Sequence, residues 1–216
     1  MKGVFRMAKN LVITIGRQLG SGGREIGQML AKELGINYYD KELLAAASKE
    51  SGLAHELFET HDERPTRSFL YNLVMDTYSM GYSAGAFNEL PLNHKVFLAQ
   101  FDTIKKIADR ESCVIVGRCA DYALADYDNC VKVFIHADMD YRIHRVARRH
   151  DLTLVQAKEE VVKTDKKRAS YYNYYTSKKW GETTGYDLCL DSSVIGNENA
   201  VKLIIDFIKM KQDFEA

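Results

Sequence analysis

The sequence predicts an α/β protein in which a parallel sheet is covered by helices on both faces. Short apolar segments, each long enough for one buried strand, alternate with segments whose apolar residues recur at helical spacing. A glycine-rich turn separates the first strand from the first helix, and charged residues follow several strands. The 216 residues, 46% of them hydrophobic, suffice for one such domain, so we expect a single domain over 1–216.

The first strand, residues 11–15, leads into the glycine-rich turn at 16–25, and a helix follows. Glycines bring backbone N–H groups close to an anion, and the N-terminus of the following helix points its unpaired N–H groups to the same place. This order is the context of a phosphate-binding loop, whereas the alternative is a tight turn that binds nothing. The complete context favours phosphate binding, by Gly20, Ser21, Gly22, Gly23, Arg24 and Glu25.

The loop contains no lysine, although the usual pattern is G-x-x-x-x-G-K-S/T. If Gly22 is the second glycine of the pattern, Gly23 stands in the lysine position. If Gly23 is the second glycine, Arg24 stands there, Glu25 takes the serine or threonine position, and the loop is longer. We prefer the second register, because it leaves the catalytic cation Arg24 facing the phosphates. Glu25 then contacts a magnesium ion or caps the helix N-terminus.

Residues 54–92 differ in character from the rest of the chain. A short strand at 37–39 ends at Asp40, and a helix is expected over 41–52. Beyond it aromatic residues crowd together, and glycines interrupt them. This stretch either packs in the core or forms an insertion that serves as a substrate flap or a subunit contact. We favour the insertion, and if it is a subunit contact, the protein forms a homodimer.

The remaining elements place charged residues at the ends of strands. Ligands of a parallel α/β sheet bind at the carboxyl ends of its strands, where Arg24, Asp40, Arg118 and the residues after Ile135 fall. The helix after the fourth strand is rich in arginine: Arg142, Arg145, Arg148 and Arg149. The other expected elements are strands at 113–116, 131–135 and 187–190 and helices at 94–110, 153–176 and 200–210.

Composition counts against several classes of protein. The 30 basic and 30 acidic residues give a formal net charge of zero, so no overall field favours nucleic acid or a membrane surface. No apolar run approaches the ~20 residues that span a bilayer, and no signal peptide is recognised. The four scattered cysteines form no C-x-x-C pair, so we expect reduced thiols in a cytoplasmic protein. A nucleic-acid-binding module built on the arginine helix and a tyrosine run lacks a recognised motif.

Four charged features together indicate phosphoryl transfer. They are the glycine loop, Arg118 directly after a buried strand, the arginine-rich helix, and the stretch KTDKKRASYY at 163–172. In that stretch Asp165 and Arg168 are three residues apart and share a helical face. Phosphoryl transfer requires several cations, because its transition state spreads charge over several oxygens. A solvated basic surface is the alternative, and it is the better interpretation for some of these arginines.

The chain resembles the cytidylate kinase-like family of P-loop nucleoside monophosphate kinases. The resemblance implies a single P-loop kinase-like domain with the three-layer α/β/α fold of P-loop NTPases, a five-stranded parallel sheet and a helical lid. It also implies phosphorylation of a small-molecule nucleotide, typically CMP or dCMP, with ATP and Mg²⁺. The matching stretches are GRQLGSGGREIG (16–27), INYYDKELL (36–44), CVIVGRCADY (113–122), VKVFIHA (131–137), KTDKKRASYYNYYTSKKWG (163–181) and YDLCLDSS (186–193).

By match to the family's motifs, Asp40 and Arg118 fall where the acceptor nucleotide binds. Two positions depart from true cytidylate kinases: the loop lysine is missing, and Val116 replaces an acidic residue near magnesium. The alternative function is therefore a nucleotide-binding regulatory protein with weak or no turnover. The residues expected to act in catalysis in or beside the lid, which we place at 142–180, are Arg145, Arg149, Asp165 and Arg168.

Overall fold

A computed structural model describes residues 10–40 and 92–215 of the chain. The helix expected over 41–52 lies outside these ranges, as does the insertion expected over 54–92 apart from its last residue. The two described ranges contain the sheet and every residue that the sequence predicts at the functional site.

Five parallel strands form one sheet in the order β2–β3–β1–β4–β5. Strand β1 lies in the centre, and its residues Val12, Ile13 and Ile15 are completely buried. Burial on both faces explains why the strands are continuous apolar runs without polar alternation. The expected five-stranded parallel sheet is confirmed. The strands are β1 (Val12–Arg17), β2 (Asn37–Tyr39), β3 (Cys113–Val116), β4 (Cys130–His136) and β5 (Leu188–Asp191).

Helices cover both faces of the sheet, so the expected three-layer α/β/α fold is confirmed. On one face, Ile26 of α1 and Ile204 of α6 pack against β1 and β4. On the other face, Ile104 and Ile107 of α2 and Leu124 after α3 pack against β3. No helix within the described ranges is both long and apolar enough to cross a membrane. The helices are α1 (Gly23–Leu34), α2 (Leu92–Arg110), α3 (Ala120–Ala123), α4 (Met139–His150), α5 (Leu154–Thr176) and α6 (Ser192–Glu215).

Helices α4 and α5 form a hairpin whose two helix starts are set by side-chain caps. The Asp138 carboxylate accepts hydrogen bonds from the first turn of α4. Thr153 and Gln156 form a capping box at the start of α5. The two helices pack through Val146 and Val161, among other apolar side chains. This α4–α5 hairpin contains most of the stretch expected to form the lid.

The tyrosine run at the end of α5 belongs to the core. Tyr171, Tyr172 and Tyr175 are no more than 5% exposed and pack against Phe97 and Leu98 of α2. The rings of Phe97 and Tyr175 stack with centroids 4.1 Å apart. These buried rings offer no surface on which bases could stack, which removes an argument for the nucleic-acid hypothesis.

Strand register brings the loops of the expected site to one edge of the sheet. Ile15 of β1 pairs with Val116 of β3 and Val133 of β4, and Tyr39 of β2 pairs with Ile115 of β3. All strands run in the same direction, so the segments that follow β1, β2, β3 and β4 emerge side by side. The loop before α1, Asp40, Arg118 and the start of α4 therefore surround one region.

Candidate functional site

The turn between β1 and α1 has a backbone that requires glycine. Gly20 and Gly22 have φ angles of +80° and +81°, which side chains with a Cβ rarely adopt. A Cβ on Gly20 would also lie 2.7 Å from the carbonyl oxygen of Arg142, a backbone atom that cannot turn away. Gly22 is the N-cap residue of α1, and no side chain caps that helix. The first N–H groups of α1 are therefore left to an anion.

Two buried serines hold the loop through hydrogen bonds from their hydroxyl groups to backbone carbonyl oxygens. Ser21 Oγ donates to the carbonyl oxygen of Gln18 at 2.9 Å, so this hydroxyl is turned into the loop. Ser192 Oγ, at the start of α6, lies 2.5 Å from the carbonyl oxygen of Ser21 and 3.1 Å from that of His136. Both serines are almost completely buried. Of the expected phosphate ligands, Ser21 is thus engaged within the protein: its hydroxyl and its N–H are directed to the carbonyl oxygen of Gln18, and its own carbonyl oxygen accepts from Ser192.

A cleft of about 260 Å³ opens over the loop, and charged side chains from several elements border it. Arg17 and Gln18 of the β1–α1 region also line this cleft. Three expected residues lie elsewhere: Ser21 is buried within the loop, Arg118 lines an adjoining cleft, and Asp165 holds the loop from the α5 side. The expected site residues that line the first cleft are Gly20, Gly22, Gly23, Arg24, Glu25, Asp40, Arg145, Arg149 and Arg168.

Arg24 and Glu25, neighbours at the start of α1, pair with side chains from different elements that border this cleft. Arg24 Nε lies 3.1 Å from Asp40 Oδ2 at the end of β2, and the Arg24 side chain is 43% exposed. Glu25 instead pairs with Arg145 and Arg149 of α4, the latter at 2.8 Å. The side chain expected to act as the loop cation is therefore joined to an expected acceptor-binding carboxylate.

Asp165 connects α5 directly to the backbone of the loop. Its Oδ1 accepts a hydrogen bond from the N–H of Leu19 at 2.8 Å, and its Oδ2 pairs with Arg142 Nη1 at 2.5 Å. The Arg142 side chain is only 5% exposed. Arg168 Nη1, one turn further along α5, donates to the carbonyl oxygen of Arg17 at 3.3 Å. Sequence reasoning did not assign Arg142 this role, because its partners are distant in the chain and its spacing matches that of the exposed arginines.

Arg118 follows β3 in an unusual stretch of backbone. Gly117, Arg118 and Cys119 have consecutive φ angles of +82°, +62° and +54°, although only one of them is glycine. Arg118 lines a smaller cleft of about 30 Å³ that shares Arg17 and Arg168 with the first. Burial, together with repulsion from Arg17, lowers the pKa of the Arg118 guanidinium to about 10. The side chain therefore keeps its positive charge at neutral pH in a place where charge is unfavourable.

Asp121 lines the smaller cleft together with Arg118, and its carboxyl group is hydrogen-bonded to a tyrosine instead of an arginine. Its Oδ2 accepts a hydrogen bond of 2.6 Å from the hydroxyl of Tyr172. Burial raises the pKa of the Asp121 carboxyl, and it also raises the pKa of the Tyr172 hydroxyl. The hydrogen bond from Tyr172 opposes the shift at Asp121 but does not cancel it.

Within the described ranges, the carboxylates that border the larger cleft are too few to hold a metal ion alone, but they can supply one or two ligands to an ion that binds together with phosphates. Glu25 and Asp40 already pair with arginines. Among the residues that the structure describes, no three histidine, cysteine, aspartate or glutamate side chains cluster closely enough to hold a metal ion. Mg²⁺ is commonly held by one or two carboxylates together with phosphate oxygens and water. The cysteines are free thiols, and three of the four are buried.

A family model described as the cytidylate kinase-like family matches residues 12–194. The chain therefore belongs to that family. Two cytidylate kinases are similar in sequence. That of Archaeoglobus fulgidus is 24% identical over 206 residues, which cover 93% of this chain and 96% of the relative. That of Halobacterium salinarum is 24% identical over 103 residues, which cover 48% and 53%.

Solved structures show the same fold. An uncharacterized protein from Eubacterium ventriosum has a TM-score of 0.68 and 29% identity, and the match covers 93% of this chain and 99% of the other. Shikimate kinase from Bacteroides thetaiotaomicron has a TM-score of 0.50 and 13% identity over 92% and 98%. The second likeness concerns the fold alone. Family and fold together support a phosphotransferase at the general level.

Proposed function

We propose that the protein transfers the γ-phosphoryl group of ATP to a pyrimidine nucleoside monophosphate, CMP or dCMP. The observation that carries this proposal is the meeting of a glycine loop and arginines from α4 and α5 in one cleft. The similarity to two cytidylate kinases supports the choice of acceptor. In this reaction an oxygen of the acceptor phosphate attacks the γ-phosphorus, and ADP leaves with the electrons of the broken bond.

On the donor side, the triphosphate lies along the loop and the N-terminus of α1. The N–H groups of this region bind phosphate oxygens, and the cations Arg145, Arg149 and Arg168 offset their charge. Mg²⁺ would be held by phosphate oxygens, water and the expected metal ligand Glu25, and it would supply further charge neutralisation. In the preferred register Arg24 also contacts the phosphates, which requires its guanidinium to share or leave Asp40. No general base is assigned, because positioning and charge stabilisation dominate phosphoryl transfer.

On the acceptor side, Arg118 binds the phosphate of the nucleoside monophosphate. Its guanidinium is buried in the cleft next to that of the donor, and Arg17 and Arg168 border both clefts. A buried cation of lowered pKa is unfavourable for folding and becomes favourable when an anion arrives. Asp40, at the end of β2, contacts the acceptor from the other side. Arg118→Ala is then expected to weaken acceptor binding more than ATP binding, and separate titrations of the two ligands measure this.

The α4–α5 hairpin closes over the phosphates as a lid. Its arginines repel one another, and bound phosphates remove that repulsion. Amide hydrogen exchange within the lid expected at 142–180, apart from the tyrosine run that packs in the core, should therefore be fast in the free protein and slow with both nucleotides bound. Exchange that is unchanged by the two ligands together would count against closure.

An assay with ATP, Mg²⁺ and a panel of nucleoside monophosphates tests the function. We expect ADP formation with CMP or dCMP and a lower rate for Arg149→Ala. Arg148→Ala is the matched control, because Arg148 is exposed on the same helix but does not line the cleft. Equal rates for both variants, or transfer to no member of the panel, would contradict the proposal.

The second candidate is a nucleotide-binding regulatory protein that turns over slowly or not at all. The observation in its favour is that the two charged residues at the start of α1 pair with the protein's own side chains. Thermal-shift measurements with the same nucleotides separate the candidates, since a ligand of the native state raises stability whether or not transfer occurs. Stabilisation without transfer supports the regulatory protein.

A further inference from the structure

Glu25 is the third residue of α1, and its carboxylate is held by side chains from two other helices. Its Oε1 lies 2.8 Å from Arg149 Nη1, and its Oε2 pairs with Arg145 Nη2. Asn197 Nδ2 of α6 also donates to Oε2, at 3.1 Å. Both carboxylate oxygens are therefore engaged by donors, in the manner of a bound anion at a helix N-terminus.

The donors around Glu25 form a binding position for an anion at the edge of the larger cleft. Arg145 and Arg149 are one turn apart on α4 and both line the cleft. Burial, with repulsion from Arg149 and Arg148, lowers the pKa of the Arg145 guanidinium, so an anion relieves an unfavourable arrangement of charge.

Asn197 reaches this position because α6 is broken at the preceding residue. Gly196 has φ 75° and ψ 167°, a conformation that is almost restricted to glycine. Nothing but the end of the Glu198 side chain lies within 4 Å of a Cβ built on Gly196, so conformation alone explains the glycine. Asn197 Oδ1 would lie 2.5 Å from a Cβ on Gly22. The amide therefore contacts the phosphate-binding loop and Glu25 together.

The ion pairs of Glu25 are of the kind that a stronger ligand can replace. The side chains of Arg149, Glu25 and Arg145 are 51%, 33% and 22% exposed, so water weakens their attraction. A phosphate group carries more charge than a carboxylate and offers more acceptor oxygens to forked guanidinium donors. A polyphosphate in the cleft can also contact the loop at the same time.

We propose that Glu25 is an internal anion that occupies a phosphate subsite formed by Arg145, Arg149 and Asn197. A polyphosphate that enters the cleft displaces the carboxylate and takes over its donors. Glu25 thereby acts as a specificity-determining residue: it excludes weak anions and admits ligands that contact the loop and the subsite together. This inference rests on the proposed function, because it requires that the cleft bind phosphates.

The test is calorimetric titration of the full chain with inorganic tripolyphosphate, without metal, at physiological salt. Glu25→Gln is expected to bind tripolyphosphate about fivefold more tightly than the wild type, an effect of the size of one partly exposed ion pair. Glu33→Gln is the matched control, since Glu33 is exposed on the same helix. It lies roughly 12 Å further along α1, beyond the ~8 Å screening length, so its affinity should equal that of the wild type.

The outcomes separate this inference from the function on which it rests. If the wild type binds no tripolyphosphate, the proposed phosphate-binding function fails, and the subsite fails with it. If the wild type binds and Glu25→Gln binds equally or more weakly, the inference is overturned while the function stands. If Glu25→Gln does not fold, Glu25→Asp replaces it, because the shorter side chain cannot reach both arginines; tighter binding supports the subsite, and equal or weaker binding overturns it.

Discussion

The two walls of the larger cleft, the phosphate-binding loop and the α4–α5 hairpin, are held in place by different forces. The loop is fixed by backbone conformation and by buried hydroxyl groups, with Gly20 and Gly22 at positive φ and Ser192 beneath Ser21. The hairpin is held mainly by ion pairs: that of Arg142 with Asp165 joins its two helices, and that of Arg149 with Glu25 joins α4 to the start of α1.

The difference indicates how each wall responds to amino-acid substitution and to salt. A wall fixed by glycine conformation and buried hydroxyl groups tolerates an added atom poorly and responds little to salt, because the serine hydrogen bonds that hold it are neutral and buried. A wall held by ion pairs tolerates changes of shape and responds to anions and ionic strength, most of all where its charges are exposed. The buried pair of Arg142 and Asp165 is the exception on the hairpin side, so substitutions there test the comparison most severely.

Asp165→Ala is expected to have the largest effect. It leaves the buried Arg142 guanidinium without its carboxylate and removes the acceptor of the Leu19 N–H, so the free energy of unfolding should fall by about 3–5 kcal/mol. Urea denaturation measures this change. Asp126→Ala, which removes an exposed aspartate, is the control and should be nearly neutral. A loss below 1 kcal/mol for Asp165→Ala would show that this pair is no stronger than the exposed ones.

Arg24→Ala is expected to leave the fold intact and to lower phosphoryl transfer by about a hundredfold, as removal of a charge-stabilising group does. Arg24→Lys should recover part of the loss, because lysine keeps the charge but not the fork. Steady-state kinetics with the best acceptor measures both variants. Wild-type turnover and nucleotide affinity in Arg24→Ala would show that the preferred register is wrong and that the cation comes from Arg17 or from the hairpin.

Gly20→Ala tests the wall that is fixed by conformation. The new Cβ meets the Arg142 carbonyl oxygen at 2.7 Å in a backbone with φ +80°, so we expect a loss of about 2 kcal/mol in unfolding free energy and weaker tripolyphosphate binding. Gly35→Ala is matched in conformation, with φ +66°, but has no atom within 4 Å. It should lose only about 1 kcal/mol and bind tripolyphosphate normally. Equal binding by both variants would refute a role of loop shape.

Asp121→Asn should have the smallest effect on the free energy of unfolding. At neutral pH it should raise that free energy relative to the wild type, whereas Asp165→Ala lowers it. Asp121 is bonded to a neutral hydroxyl instead of a guanidinium, and burial raises its pKa. The native state then holds this proton more firmly than the unfolded chain, so wild-type stability falls as pH rises from about 4, the unfolded pKa, through the raised native value. Asp121→Asn lacks this loss, and its stability relative to the wild type should increase with pH. Parallel stability curves from pH 4 to 8 would contradict the assignment.

Elements whose signal is local were predictable from the sequence. The strands expected at 37–39 and 113–116 are β2 and β3 with the same bounds, and the helix expected at 153–176 differs from α5 by one residue. Apolar runs and glycine positions report such elements, because burial of a parallel strand shows in its own composition. The last helix was expected over 200–210 but begins at Ser192, because the sequence did not reveal that helical structure resumes across Gly196.

The pairings within the site could not be predicted. The sequence indicates that glycines and arginines surround one cleft, and the structure does bring most of them there. It does not reveal that Glu25 pairs with Arg149, 124 residues away, or that Asp165 bonds to Leu19, 146 residues away. Several exposed carboxylates and arginines on these helices carry the charge that such ion pairs require. Only the packing of α4 and α5 against the loop selects among them.

The left-handed segment at Gly117–Cys119 has a consequence for how this chain tolerates mutation. Two residues with side chains hold conformations that glycine and asparagine adopt far more easily. In a library that contains every substitution at position 119, glycine and asparagine should therefore be retained, and the β-branched residues should be depleted. At position 117 glycine should be strongly preferred, because φ is +82° there, a backbone conformation that residues with a Cβ rarely adopt, whereas the neighbouring Arg17 guanidinium is the end of a flexible side chain that can move aside. An alanine scan alone would mistake this backbone requirement for side-chain chemistry.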